Sequence, residues 1–544
     1  MKVYIKILFS IAGSLLLATG CSKKQLDEDS RGVLTADLLF TSPAGFQNAV
    51  NGLYDEVRRY RSGDVYNTIN DIMCMQAVIG VDNAYGNWRD PTVDVFNLWT
   101  NINNPAFGHY NSVWSWLYQT INSANTIINR ANTASFAWAA SDKNNIVAQA
   151  RCIRAWCYRH LTYLWGDVPL TLTESTGANI KTDWQRTPVA EVRNAMRDDW
   201  KFAEQNLPVT SSSDAQLLQG IASHFLAELY LSMGKYDSAK IEALKVTTNP
   251  AYKLVTARYG VNASAPGTPF TDMFLDGNSK RSQGNTEALW VIQNELNVTG
   301  GEGNNIMRRY WANRYYSLQV KGTDGKSTSP IQVAAAAGGR GIGRLSPTRF
   351  EMNLFKGIAD DRGSNFAWHY YYLINTNPPK GFAIGDTIRL DSTGNEKLSN
   401  ANWPSTSKWD WVSPTNVLID PQYNDQVLVR SAETYLLLAE ACVDLNDKQG
   451  AADAINALRA RAHAAPVTAA SVTMDLVLDE RAKELFSEED RRYVLLRTGR
   501  WLARVKQYNL IASPNVAARD TLLPIPQPVI DANRTSPMTQ NPGY

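Results

Sequence analysis

Past its first twenty residues the chain has no apolar run near the roughly 18 uninterrupted residues that a membrane-spanning helix needs, so no later segment reads as a span. Cysteine and histidine are scarce, five of each in 544 residues. Cys152 and Cys157, spaced C-x4-C inside a helical pattern, fall on different helix faces. That spacing suits neither zinc nor a redox pair, and with Cys74 and Cys442 they read as small buried hydrophobes. The histidines, at 109, 160, 224, 369 and 463, are dispersed, and no H-E-x-x-H motif occurs. Net charge is missing too. Without Lys2 and Lys6 the chain carries 52 basic against 52 acidic residues, which argues against nucleic acid as a partner.

Local catalytic motifs are also absent. In "VKGTDGKST" only two residues separate Gly322 and Gly325, where a phosphate loop needs four. "GGRGIGR" (338–344) is glycine-rich without the dinucleotide fingerprint, and "STSK" (405–408) matches S-x-x-K without its companion motifs. Glu488-Glu489 reads as part of a solvated helix face. No EF-hand spacing occurs and no cofactor is expected, which leaves a structural calcium open.

What the chain does have begins at its N-terminus. Lys2 and Lys6, an apolar core from Ile7 to Leu17, and Ala18-Thr19-Gly20 form a secretory signal over residues 1–20. It stops at Cys21, and "LLLATGC" resembles a lipobox, with Ala18 where Leu is usual. Cys21 is therefore the expected lipid acceptor, since two or more acyl chains hold a protein firmly to a membrane. "SKKQLDEDS" lacks helix periodicity and reads as a flexible tether over 21–30.

The body is mainly α by pattern. Ser42 and Pro43 open a helix with apolar Phe46, Ala49, Val50, Leu53 and Val57 on one face. Long helices follow over 111–133 and 143–165. Residues 214–247, broken at Gly234, and 428–462 each read as a helix–turn–helix pair of tetratricopeptide-like layout, which must stack on neighbours. Residues 251–425 are rich in Gly, Pro, Asn, Ser and Thr, with "EALWVIQNE" and "GDTIRLD" as short strands. The reading is thus a helical N-terminal part (31–250), a loop-rich, aromatic-rich insertion (251–425) and a C-terminal helical part (426–544).

Sixteen tryptophans and 24 tyrosines are a heavy load for such a chain. Two stretches, 82–104 and 300–320, set Trp88, Trp99, Tyr310, Trp311, Tyr315 and Tyr316 among Asn, Asp and Arg. A flat ring covers the C–H face of a sugar, and polar side chains bond its hydroxyls.

In order along the chain, Cys21, "SPAGFQNAVNGLYDEV", "RCIRAWCYRHLTYLWGDVPL", "LVRSAETYLLLAEA", "ERAKELFSEEDRRYVLLRTG" and the ending "LLPIPQPVIDANRTSPMTQNPGY" resemble the SusD/RagB family of outer-membrane lipoproteins. Glu489 and Val494 depart from the Gly and Asp common in that family. The resemblance implies a tetratricopeptide-like scaffold with a loop-rich ligand face and no catalysis. It implies capture of oligosaccharides, or in some members peptides, for a SusC-type TonB-dependent β-barrel transporter on the outer face of the outer membrane. The expected ligand residues are Trp88, Trp99, Trp311, Tyr310 and Tyr315 as aromatic surfaces, with Asp82, Arg89, Asn101 and Arg314 as hydroxyl partners. A surface glycosidase would need two carboxylates about 5–10 Å apart, and only Asp82, Asp90 and Asp94 lie near these rings.

Overall fold

Ser42 caps α1 (Pro43–Arg58): its side chain accepts a hydrogen bond from the Gly45 amide, and Pro43 fills the first helical position. Phe46, Val50, Leu53 and Val57 form the buried stripe of α1. The computed structural model describes residues 36–62, 73–87, 91–177, 179–298, 301, 305–391, 399–419 and 421–544. The signal, Cys21 and the tether lie outside them. Among the described residues no helix is long and apolar enough to cross a membrane.

Two 26-residue helices, α2 (Gly108–Thr133) and α3 (Ala140–Trp165), make the centre. From Ile146 onward nearly every residue of α3 is buried, because it packs against α1, α2 and α4 (Val189–Asn206) together. Gly166, at φ +73°, ends it. Next come α5 (Gln219–Ser232) and α6 (Tyr236–Thr247), joined through Gly234 at φ +68°. A left-handed turn there needs glycine. α6 packs on α7 (Ser431–Asp444), and α7 on α8 (Lys448–Arg461). The two tetratricopeptide-like pairs are therefore neighbours, although the whole insertion lies between them in sequence. Cys74, Cys152, Cys157 and Cys442 are all buried and unbonded.

The insertion closes at its base. β2 (Ala288–Ile292) pairs antiparallel with β6 (Gln426–Arg430), joining its first strand to the strand that leads out into α7. Within it, β4 (Tyr371–Leu373) pairs with β5 (Thr387–Arg389). β1 (Ala84–Gly86) crosses from the N-terminal part to pair with β3 (Leu345–Pro347).

Beyond α8, the chain forms α9 (Met474–Leu485), α10 (Arg491–Arg497) and α11 (Trp501–Tyr508). The α9–α10 block is a row of buried ions that ties the parts together. Glu484 meets Arg362, Arg430 and Arg461; Glu488 meets Arg430 and Lys408. Glu489 meets Arg481 and Arg491, and Asp490 meets Arg159. The expectation that Glu488-Glu489 is a solvated helix face is thus corrected. Helix stops at Leu485, Ser487 turns at φ +66°, and both glutamates point inward to guanidinium partners. Lys408 of "STSK" is buried in the same network and donates to the Glu484 carbonyl at 2.8 Å, so that match is structural.

Candidate functional site: a glycine-rich loop face

The structure brings the two aromatic stretches together through the glycine-rich loop. The Asn87 amide donates to the Arg344 carbonyl at 2.8 Å, extending the β1–β3 ladder. The loop 338–344 then lies on the short helix Met307–Trp311 and the residues after it. Ile342 N donates to Arg309 O at 3.2 Å, and Gly343 N to Ala312 O at 2.8 Å. A Cβ on Gly341 would stand 2.2 Å from the Ala312 oxygen, and one on Gly343, at φ +68°, 2.3 Å from the Asn400 oxygen. Glycine is needed there because backbone presses on backbone.

Beneath the loop, buried Arg308 holds it. Its guanidinium donates to Asp410 at 2.5 Å and to the Gly339 carbonyl at 2.6 Å. His369 Nε2 lies 2.8 Å from the other Asp410 oxygen. Burial pushes the Asp410 carboxyl up, but His369 and Arg308 outweigh it and hold it below the ordinary value.

Several expected ligand residues are core. Trp99 is buried edge-on to Trp501, with ring centroids 5.4 Å apart, and the Arg492 guanidinium sits 5.0 Å above it. Trp311 is buried edge-on to Phe486 at 5.1 Å. Tyr310 and Tyr315 are fully buried, and Tyr315 stacks on Tyr372 at 4.3 Å. None of these rings has a face free for a sugar in this structure. Asp82 is sealed as well, paired with Arg491 and Arg504, and so is no hydroxyl partner. Of the sixteen tryptophans, thirteen are buried, Trp138 and Trp184 are half-buried, and Trp88 lies outside the described residues. The aromatic load is mainly packing.

Asn101 is exposed and Arg314 is half-buried at the surface. Arg89 and Asp90, like Trp88, lie outside the described residues. Asp94 is half-buried on the helix Pro91–Leu98.

Around Arg314 several arginines lie against aromatic rings. The Arg314 and Arg340 guanidiniums sit 5.6 and 5.9 Å from the centroid of one ring, that of half-buried Tyr316. Arg344 lies 5.2 Å over the Tyr310 ring and donates to its hydroxyl at 2.8 Å. Arg309, between them in the chain pairing, is also half-buried. Arg340 and Arg344 were not among the expected ligand residues. Their signal was the pair of arginines set inside and at the end of "GGRGIGR", the loop whose glycines let it lie flat on 309–314.

A family model described as "SusD family" matches residues 266–544, and one described as "Starch-binding associating with outer membrane" matches 26–231. The chain belongs to the SusD family. SusD-like protein P2 of Formosa agariphila is 26% identical to it over the full length of both chains. A SusD-like protein of Bacteroides ovatus is 25% identical over 44% of this chain and 41% of its own. Among solved structures, a laminarin-binding SusD-like protein superposes with a TM-score of 0.69 at 19% identity, covering 92% of this chain and 99% of its own. A SusD homologue from Bacteroides thetaiotaomicron gives 0.70 at 18%, covering 93% and 97%. At these identities the structures establish a shared SusD fold, mainly helical with few short strands.

Proposed function

We propose that this SusD-family protein captures oligosaccharides at the bacterial surface and passes them, unaltered, to a SusC-type TonB-dependent barrel. In this reading Cys21 carries the lipid anchor, and the protein faces the cell exterior. The observation that carries it is the pair of family matches, which together take in most of the chain and include a starch-binding, outer-membrane description. The laminarin-binding neighbour supports a glycan over a peptide. The loop face at 309–316 and 338–344 is the surface proposed to hold the sugar.

Calorimetric titration of the body from about residue 31 against soluble polysaccharides and peptide digests tests this, with each mixture assayed for new reducing ends. Saturable glycan binding without product is expected. Binding to peptides alone would overturn the glycan reading, and new reducing ends from pure protein would overturn the non-catalytic one.

A further inference from the structure

The connection between α2 and α3 is apolar where surface turns are ordinarily polar. From Ala131 to Ser141 the sequence "ANTASFAWAAS" carries no charge. Phe136 and Trp138 are half-buried there, and Ala137, Ala139 and Ala140 are exposed. The two rings lie 5.2 Å apart and pack on the first described segment of the chain. Phe46 of α1 stands 4.8 Å from Trp138 and 6.0 Å from Phe136, and Phe40 stands 4.7 Å from Phe46. At the end of α2 the Arg130 guanidinium donates to Asp37 at 2.6 Å, which fixes the short helix Ala36–Leu39 beside the turn. Arg130 also pairs with Glu174, so the arginine at the edge of this patch is neutralised. Leu38, on the short helix, is 60% exposed.

This apolar end is also the end nearest the expected anchor. Fourteen residues separate Cys21 from Ala36, so the span between the two is at most about 50 Å. A body of about 500 residues has a radius of gyration of about 23 Å and is therefore about 60 Å across. Its far side cannot reach the bilayer, and the end carrying Ala36 meets it first. A tether of that reach makes contact with lipid intramolecular, so a patch of small area needs little affinity of its own. Tryptophan suits the boundary between headgroups and acyl chains, where the ring is apolar and its N–H stays wet.

We propose that the α2–α3 turn is a lipid-contact site: Trp138, Phe136 and Leu38 rest in the headgroup boundary of the bilayer that holds Cys21, and so orient the body on it. The proposal rests on the reading of Cys21 as the lipid acceptor and adds a second, non-covalent contact to it. Because the turn is uncharged, the contact needs neither anionic lipid nor low salt.

The test uses the full lipidated chain in phosphatidylcholine vesicles. Cys74, Cys152, Cys157 and Cys442 are buried, so a polarity-sensitive dye goes selectively onto Ala137→Cys or onto Ile384→Cys, the latter position 61% exposed between β4 and β5. Melting curves confirm the fold of each variant. Dye at 137 is expected to brighten, shift to the blue and be quenched by doxyl-labelled lipid, equally at low and high sodium chloride. Dye at 384 is expected to do none of these. Adding Trp138→Ser to Ala137→Cys is expected to remove most of the change. Floated protein in which both dyes behave alike, or a signal at 137 that survives Trp138→Ser, would overturn the lipid-contact site and leave the anchor standing. Wild type that fails to float with the vesicles would overturn the anchor, and the site with it.

Discussion

Arg491 and Asp82 stand 409 residues apart in the chain and form a two-point ion pair with almost no solvent access, Nε to Oδ1 at 2.8 Å and Nη2 to Oδ2 at 2.7 Å. Arg504 Nε adds a third bond to Oδ2 at 2.8 Å. Burial alone would raise the Asp82 carboxyl, but the two guanidiniums hold it below the ordinary value. The pair clamps the residues before β1 to α10 and α11. Asp82→Ala leaves two buried cations short of their partner and is expected to cost about 3–5 kcal/mol of unfolding free energy. Denaturant titration checks this. A midpoint equal to wild type would mean the site is open to water, and Asp82 would return as a ligand candidate.

Trp311 and Tyr316 separate packing from recognition. Trp311→Ala removes a buried ring against Phe486 and is expected to destabilise by about 3–5 kcal/mol. Tyr316→Ala removes a half-buried ring and is expected to cost far less stability, while releasing the Arg314 and Arg340 guanidiniums. Glycan affinity per folded molecule should fall in Tyr316→Ala and hold in Trp311→Ala. The reverse pattern would reinstate Trp311 as the platform.

The helices were readable because their signals are local. Ser42-Pro43 caps, the 3.6-residue stripe on α1 and Gly234 each act within a few residues, and the structure places helices where they point. The strands in "EALWVIQNE" and "GDTIRLD" were legible for the same reason. The site was not. Asp82 and Trp99 sit in polar, turn-rich sequence that reads as surface, but their burial is decided by Arg491, Arg492 and Trp501, more than 390 positions away. Glu488 failed for a related reason, since its partners Arg430 and Lys408 lie 58 and 80 positions away in the chain. Arg314 lies in the expected stretch itself. Arg344 reaches the same face only through the pairing of β1 with β3.

Gly343 tests whether the loop must lie flat. Alanine there meets the Asn400 oxygen and also holds a left-handed φ of +68°. Gly357, at φ +74° with nothing near its Cβ, bears the backbone strain alone. That strain is worth about 1–2 kcal/mol. Hydrogen exchange on both alanine variants is the check. The amides of Asn87 and residue 343 should lose protection in Gly343→Ala and keep it in Gly357→Ala. Equal protection in the two would show that the loop gives way at no cost, and that its glycines are incidental to the site.

His224 sets an acid limit on stability. It is buried on α5, with Nδ1 2.8 Å from the Thr434 hydroxyl on α7. Burial pushes its pKa down most; Glu228 pulls it up, and Arg159, Arg481 and Arg497 push it further down, to about 3 from the ordinary 6.5. The folded value is the lower one. Between pH 6.5 and 3 the unfolded chain therefore holds a proton that the folded chain refuses, and stability falls as pH drops through that window. One such histidine contributes a slope of up to about 1.4 kcal/mol per pH unit. Buried His160, also shifted down, adds to the slope, while Glu351, shifted up by burial, opposes it. A difference measurement removes those shared contributions. His224→Gln has no proton to refuse, so its stability deficit against wild type should shrink as pH is lowered from about 6.5. A deficit that stays constant over that range would mean that His224 titrates alike in the folded and unfolded chains, and that its ring reaches water.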